Sequence, residues 1–293
     1  MELTINNLIE AQAYLTLVAL VYHFILRHLT FYKFNRFFLI FGATLSTIVP
    51  FIPQANNAAL EFTTTLPILN VSNKWQTILP AYNSNISNVI WGVLLSITII
   101  LFIKTSIQAG ILLRGKLIEK DKLNYIVSNH PAAPFSVFKY IVVNQLPLDK
   151  AIEIHEAAHV KQHHYIDLLI LQCIAWINWF NPFSWLLLKS AKSNHELLAD
   201  QAVLNQGYEK KQYQELMLQQ VLQTHIPVLA NTFFNQSILK QRIMMMTKKQ
   251  SNKKALLNAL WALPIALFIF VACGEKNETT EPVLSNAEVM PEY

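Results

Sequence analysis

Four apolar runs set the terms for this chain: 8–27, "LIEAQAYLTLVALVYHFILR"; 37–52, "FFLIFGATLSTIVPFI"; 89–103, "VIWGVLLSITIILFI"; and 255–273, "ALLNALWALPIALFIFVAC". A bilayer core about 30 Å thick is crossed by about 20 helical residues. Each run approaches that length, and the third can continue toward Leu113. In lipid every backbone N–H and C=O must be satisfied within the segment, so these runs are expected to be helices. Composition agrees, with 53% hydrophobic and only 14% charged residues. That balance excludes an ordinary soluble enzyme and fits a membrane protein with a modest polar part. No cleavable leader is expected, because the N-terminus lacks a basic region and the first run is too long.

The loops orient the spans. Residues 27–36 carry Arg27, Lys33 and Arg36, and residues 104–122 carry Lys104, Arg114, Lys116, Lys120 and Lys122. Residues 53–87 carry only Lys74. The bias of Lys and Arg toward the cytoplasm places the first two loops inside and 53–87 outside, with the N-terminus outside. Net charge is +5, yet residues 274–293 hold five glutamates and one lysine, so that acidic tail is −4 and the rest +9. Sidedness accounts for this asymmetry, and no direct nucleic-acid binding is expected. The two cysteines, Cys173 and Cys273, sit in apolar runs and form neither a disulfide framework nor a metal pair.

After the third span the texture changes. "LNYIVSN" and "FSVFKYIVV" are rich in β-branched and aromatic residues, with the turn signal "HPAAP" between them. A small β-hairpin is predicted there. Then comes "AIEIHEAAHVKQHH", residues 151–164. His155 and His159 are four apart, so a helix puts both rings on one face, able to grip one metal ion. Glu156 lies beside them and can serve as general base toward a water activated by that ion. Zinc needs a third protein ligand. "NHELLAD" supplies Glu196 as that ligand and Asp200, one turn on, to meet a ligand histidine's free N–H. Small residues Ala157, Ala158 and Ala199 allow the two helices to approach closely. One zinc per chain is the expectation. An oxyanion donor is also needed, and Arg242 and His195 are the candidates. His163 reads as helix surface, and His164 with Asp167 as a local polar contact without chemistry.

A fifth apolar run, 168–188, sits between the two halves of this site. If it crossed the membrane, Glu196 would lie opposite His155 and His159, since the eight residues after Leu188 reach only about 12 Å. Crossing would also put Lys210, Lys211, Lys240, Arg242, Lys248, Lys249, Lys253 and Lys254 outside. Both conflicts vanish if the run turns back at "NWFNPF", where Pro182 breaks a helix and Asn178 and Asn181 favour a bend. Residues 166–190 are therefore read as a re-entrant or buried helical hairpin, with Trp176, Trp179 and Trp185 available as interface anchors.

The set HExxH, "WFNPFSW", ExxAD and "SILKQRI" before a final apolar run resembles the BlaR/MecR-type membrane metallopeptidases. These are signal-transducing, antirepressor peptidases of the gluzincin type. The resemblance covers about residues 1–273. It implies zinc at His155, His159 and Glu196, Glu156 as catalytic base, and Asp200 in support. It implies a peptidase domain facing the cytoplasm of a bacterial inner membrane, in agreement with the loop charges. It also implies action by self-cleavage or by removal of a BlaI-like transcriptional repressor, and leaves open pairing with a second copy of the chain. Beta-lactam sensors of the family carry a penicillin-binding outer domain after the last span. Only about twenty residues follow Cys273 here, so no sensing by acylation is expected.

The expected architecture is mainly α. Residues 1–113 form a membrane region with three spans and an outer loop at 53–87. Residues 114–254 form a cytoplasmic zinc peptidase domain, 255–273 a fourth transmembrane helix, and 274–293 an acidic, disordered outer tail. Two other readings stay open. Ste24/HtpX-type quality-control proteases share HExxH, a hydrophobic hairpin and ExxxD. A membrane receptor with a structural zinc site would share the ligands but have no use for Glu156.

Overall fold

A computed structural model describes residues 5–52, 84–112, 115–120, 123–128, 134–223, 229–252 and 254–255. The chain is mainly helical. Helix α1 runs Ile5–Phe24 and α2 Tyr32–Ile48. Helix α3, Ser84–Leu112, takes the third apolar run as far as Leu112. Among the described residues, three stretches are long and apolar enough to cross a membrane: Asn7–His28, Tyr32–Phe51 and Trp91–Gln108. The second begins five residues before the run read from sequence, because "YKFNR" continues the same helix. Their outer faces keep large apolar side chains exposed, among them Phe37, Phe41, Ile100 and Ile103. Such a surface is stable against lipid and unfavourable against water. The predicted fourth span, the acidic tail and most of the loop 53–87 lie outside the described residues.

The polar part begins with strands β1 Lys116–Lys120, β2 Leu123–Val127, β3 Phe135–Val137 and β4 Tyr140–Val143. They form one sheet in the order β1-β2-β4-β3. This corrects the single hairpin expected between 123–129 and 135–143. "FSVFKYIVV" is two strands rather than one, because Phe138 adopts a left-handed φ of 52° and reverses the chain. Strand β4 then lies parallel to β2, while β3 and β1 flank them antiparallel. Edge pairing thus leaves β3 at one border of the sheet. The inner pair is buried through Tyr125, Ile126, Ile141, Val142 and Val143.

Helix α4, Lys150–Lys161, starts where the Asp149 side chain accepts from the Ala151 N–H at 2.8 Å. That cap satisfies one of the orphan amide donors of the first turn. The helix ends near Gln162, and His163 takes a left-handed conformation with φ 54° before α5, His164–Ile177, begins. His163 therefore sits in the bend between two helices, rather than on the surface of one. Helix α6, Pro182–Leu204, carries Pro182 in its first turn, where the missing N–H costs nothing. Helices α7, Lys210–Gln223, and α8, Leu229–Thr247, complete the described fold.

Helices α5 and α6 are the two arms of the hairpin read at 166–190. The turn is closed by polar side chains. Asn181 caps α6 through the Phe183 N–H at 2.9 Å. Ser184 Oγ donates to the Asn178 carbonyl at 3.0 Å, and Gln12 of α1 exchanges hydrogen bonds with Asn178 at 2.6 Å and Asn181 at 2.8 Å. Among the arms, Leu171, Ala175, Leu187 and Ala191 pack with Leu15, Ala19, Leu39 and Ala43 of α1 and α2 in one core. Helix α3 touches the same hairpin, with Phe102 edge-on to Trp176 at a centroid distance of 5.7 Å. The outward and return arms each span about 21 Å at 1.5 Å per residue, so Glu196 returns to the level at which α5 began.

The α1–α2 connection lies at that same level. Thr30 and Ser251 exchange hydrogen bonds of 3.1 and 2.8 Å, and Lys248 Nζ donates to the His28 carbonyl at 2.6 Å. Loop 27–36 and the segment after α8 therefore share a side. Single cysteines replacing the exposed Lys33 and Gln206, in a chain with Cys173 and Cys273 changed to Ser, should respond alike to a membrane-impermeant thiol reagent. Both should be protected in intact cells. Labelling of one position without the other contradicts the hairpin.

Candidate metal centre

The site is assembled from α4, α6, α7 and α8. On α4, His155 and His159 meet edge-on one turn apart, with their Nε2 atoms 3.3 Å from each other. Glu196 of α6 brings Oε2 to 3.4 Å from His155 Nε2, and Oε1 to 3.6 Å from His159 Nε2. Ala157, Ala158 and Ala199 are all buried on these two helices, and none carries bulk that would hold the helices apart. The donor atoms of His155, His159 and Glu196 lie within 4.8 Å of one another and could hold a metal ion. A tetrahedral ion with bonds of about 2.0–2.1 Å sets its ligands about 3.3–3.4 Å apart. The observed separations sit close to that figure, and the set of two imidazoles and one carboxylate suits a borderline divalent cation.

Behind these ligands is a buried charged layer. Asp200, one turn beyond Glu196, places Oδ1 3.2 Å from His155 Nδ1. The Tyr213 hydroxyl of α7 donates to Asp200 at 2.9 Å and lies 3.0 Å from the same imidazole nitrogen. Arg242 of α8 spans both carboxylates, with Nε 2.8 Å from Asp200 Oδ2 and Nη1 2.9 Å from Glu196 Oε2. Burial opposes charge on both acids, yet the Arg242 guanidinium first, and His155 after it, hold them well below the usual carboxylate range. Burial also disfavours an imidazolium at His155. The bonds to Asp200 and Glu196 overturn that and push it up to about 9. His159 lacks a second carboxylate, and burial together with the neighbouring His155 charge brings it down to about 4 despite Glu196.

Glu156 is 8% exposed and lines a cleft of about 580 Å³ together with His155, His159, Glu196 and Arg242. Burial pushes its carboxyl up, the His155 charge pulls it down, and Glu196 raises it again. A carboxylate shifted toward neutral pH is matched to proton transfer there. The edge strand β3 also lines the cleft through Phe135, Ser136 and Val137, with the Ser136 side chain hydrogen-bonded to Glu156, and Thr105 of α3 and Trp176 of α5 line it too.

The two oxyanion candidates have different surroundings. Arg242 faces the cleft but is engaged by Glu196 and Asp200. His195 is turned away: its Nε2 lies 2.9 Å from Asp167, it is 2% exposed, and it does not line the cleft. An unsuspected member of the site is Tyr213. On the polar helix α7 it forms, with Leu216 and Met217, the apolar face that packs on Ala151, Val203 and Met246. That i, i+3, i+4 pattern was available as a burial signal, but nothing local points the hydroxyl at His155.

Residues 149–246 match the family described as BlaR1 peptidase M56. The chain is also 27% identical to the "Regulatory protein BlaR1" of Staphylococcus aureus over 283 aligned residues, covering 84% of this chain. The match takes in 44% of that protein, so this chain spans under half the length of its relative. The family match takes in the helices that carry His155, Glu156, His159, Glu196, Tyr213 and Arg242, and by both comparisons the chain is similar to the BlaR/MecR-type proteins, through an M56-like segment at residues 149–246.

Proposed function

We propose that this chain is a membrane-embedded zinc endopeptidase that acts in signal transduction, by cleaving itself or a BlaI-like transcriptional repressor. The observation that carries the reading is the position of Glu156. It lines one cleft with three convergent ligand side chains, beside an edge strand. A zinc ion held by His155, His159 and Glu196 would supply Lewis acidity, polarising a scissile carbonyl and acidifying water. Glu156 then takes the proton from the attacking water and returns it to the leaving amine. Asp200 and Tyr213 fix the His155 ring, with its Nδ1 proton toward them and its Nε2 lone pair toward the ligand cluster. Arg242 holds Glu196 and Asp200 in place as anions. Strand β3 lies at the border of the sheet, a place where an extended peptide could add as a further strand.

The name of the staphylococcal relative supports a regulatory rather than a housekeeping role. Loop charges support a cytoplasmic site, with residues 27–36, 104–122 and 210–254 on the inner side. A structural-zinc receptor is disfavoured, because a closed structural site gains nothing from a buried carboxyl such as Glu156 beside its ligands. Arg242 contacts the ligand Glu196 directly, so its replacement should disturb the metal as well as any oxyanion.

Three outcomes follow. Glu156→Gln should keep zinc and fold while losing cleavage of the chain, or of a co-expressed repressor, by about 10² or more. Wild-type cleavage by that variant would overturn the peptidase reading. His159→Ala and Glu196→Ala should instead lower the zinc content of the purified protein below the expected one ion per chain, measured by metal analysis in detergent. The third concerns pH. Zinc must displace the proton that Asp200 and Glu196 hold on His155, whose pKa is pushed up to about 9. Less proton competes as pH rises toward that value, so apparent zinc affinity should climb roughly tenfold per pH unit between about pH 6 and 8. A chelator competition series that is flat over this range contradicts the assignment.

A further inference from the structure

A second polar network lies on the far side of His159, and the catalytic reading above makes no use of it. The left-handed bend at His163 starts α5 so that His164 folds back on the end of α4. His164 Nδ1 then sits 2.9 Å from His159 Nδ1. The His164 ring stacks on His195, with centroids 4.2 Å apart and planes 5° from parallel. His195 donates through Nε2 to Asp167 Oδ2 at 2.9 Å. Asp167 in turn takes Arg36 on both oxygens, at 2.6 and 3.1 Å, and Arg36 also donates to the Gln162 carbonyl at 2.8 Å. His164, Asp167 and His195 are 2%, 5% and 2% exposed.

Only one proton fits between the two Nδ1 atoms. His159 directs Nε2 at His155 and Glu196, so a ligand lone pair there requires the proton on Nδ1. His159 is then the donor and His164 the acceptor. His164 carries its own proton on Nε2, an atom with no hydrogen-bond partner among the described residues. Among the described residues the acceptor nitrogen meets His159, and the His164 ring lies flat against His195. Arg36 supplies a positive charge that faces Asp167. It belongs to α2, a helix long and apolar enough to cross the membrane, and it grips both the end of the ligand helix and the start of the hairpin.

We propose that His164 is the positioning residue for the ligand His159, and that Arg36, through Asp167 and His195, makes this positioning depend on how α2 is seated against α4 and α5. A shift of α2 would thereby reach the metal site without touching a ligand. The inference rests on the reading of His159 as a metal ligand.

The test uses the full chain in detergent, with zinc affinity read by competition against a chromophoric chelator and fold read by thermal unfolding before zinc is added. His164→Phe keeps the stack on His195 but removes the acceptor, and should weaken zinc about 10- to 100-fold. His164→Asn, whose Oδ1 replaces the acceptor at the same branch, should return affinity to within about threefold of wild type. His164→Gln is equally polar but reaches past that position and should resemble Phe, so the contrast of Asn with Gln carries the test if the Phe variant does not fold. Arg36→Gln should weaken zinc about three- to tenfold in the wild-type chain and add nothing in the His164→Phe chain. Wild-type affinity in His164→Phe, equal affinities for the Asn and Gln variants, or an Arg36→Gln loss of the same size in both backgrounds would each overturn the proposal. A wild-type chain that takes up no zinc, or a His159→Ala chain with undiminished affinity, would instead overturn the metal-site reading beneath it.

Discussion

The turn at Asn178–Pro182 is the feature on which the rest of the molecule depends. His155 and His159 on α4 and Glu196 on α6, the residues that could hold a metal ion, are separated by two apolar helical arms that bury themselves against α1 and α2. An apolar medium tolerates a reversal only where the freed backbone and amide groups find partners. Here Gln12 meets both Asn178 and Asn181, Ser184 takes two turn carbonyls, and Pro182 removes a donor that would otherwise need one. The turn is thereby tied to α1, and the return arm arrives with Glu196 facing the two histidines.

Charge balance is the second constraint. Glu196 and Asp200 are two carboxylates one helical turn apart with little solvent between them, a placement that is costly without compensation. Arg242 neutralises one of the two negative charges. What remains is a single negative charge facing His155, and this is why the imidazole holds its proton so far above neutral pH. A divalent cation meets the same need with one more positive charge and three ligand bonds. The layer that raises the His155 pKa is therefore the layer that would prepare a metal site, and a cation bound there would compete with the proton at His155.

Helix α2 is bound into this arrangement at both of its roles. Its apolar flank shares the core with the hairpin, and its first turns carry Tyr32, whose carbonyl accepts from Asn194, and Arg36, which holds Asp167 and Gln162. Every one of these contacts falls within a turn or two of a site residue. The three apolar helices and the cleft consequently form one packed structure.

Much of this was legible in the chain because it is local. Hydropathy alone determined three apolar helices, for a run of that length has no other way to satisfy its backbone in lipid. The i, i+4 spacing of His155 with His159 and of Glu196 with Asp200 determined which rings and carboxylates share a helical face. Charge and reach together required 166–190 to double back. Only tertiary structure decided the rest. The parallel pairing of β2 with β4 depends on a left-handed residue at Phe138, a conformation that its type does not announce. Tyr213, Arg242 and Ser136 reach the site from other elements, and Arg36 meets Asp167 across 131 residues of chain. Periodicity speaks for residues within a turn or two of each other. Which polar groups meet across the fold is settled by how the helices pack, because each must find its partner among whatever the packed neighbours present.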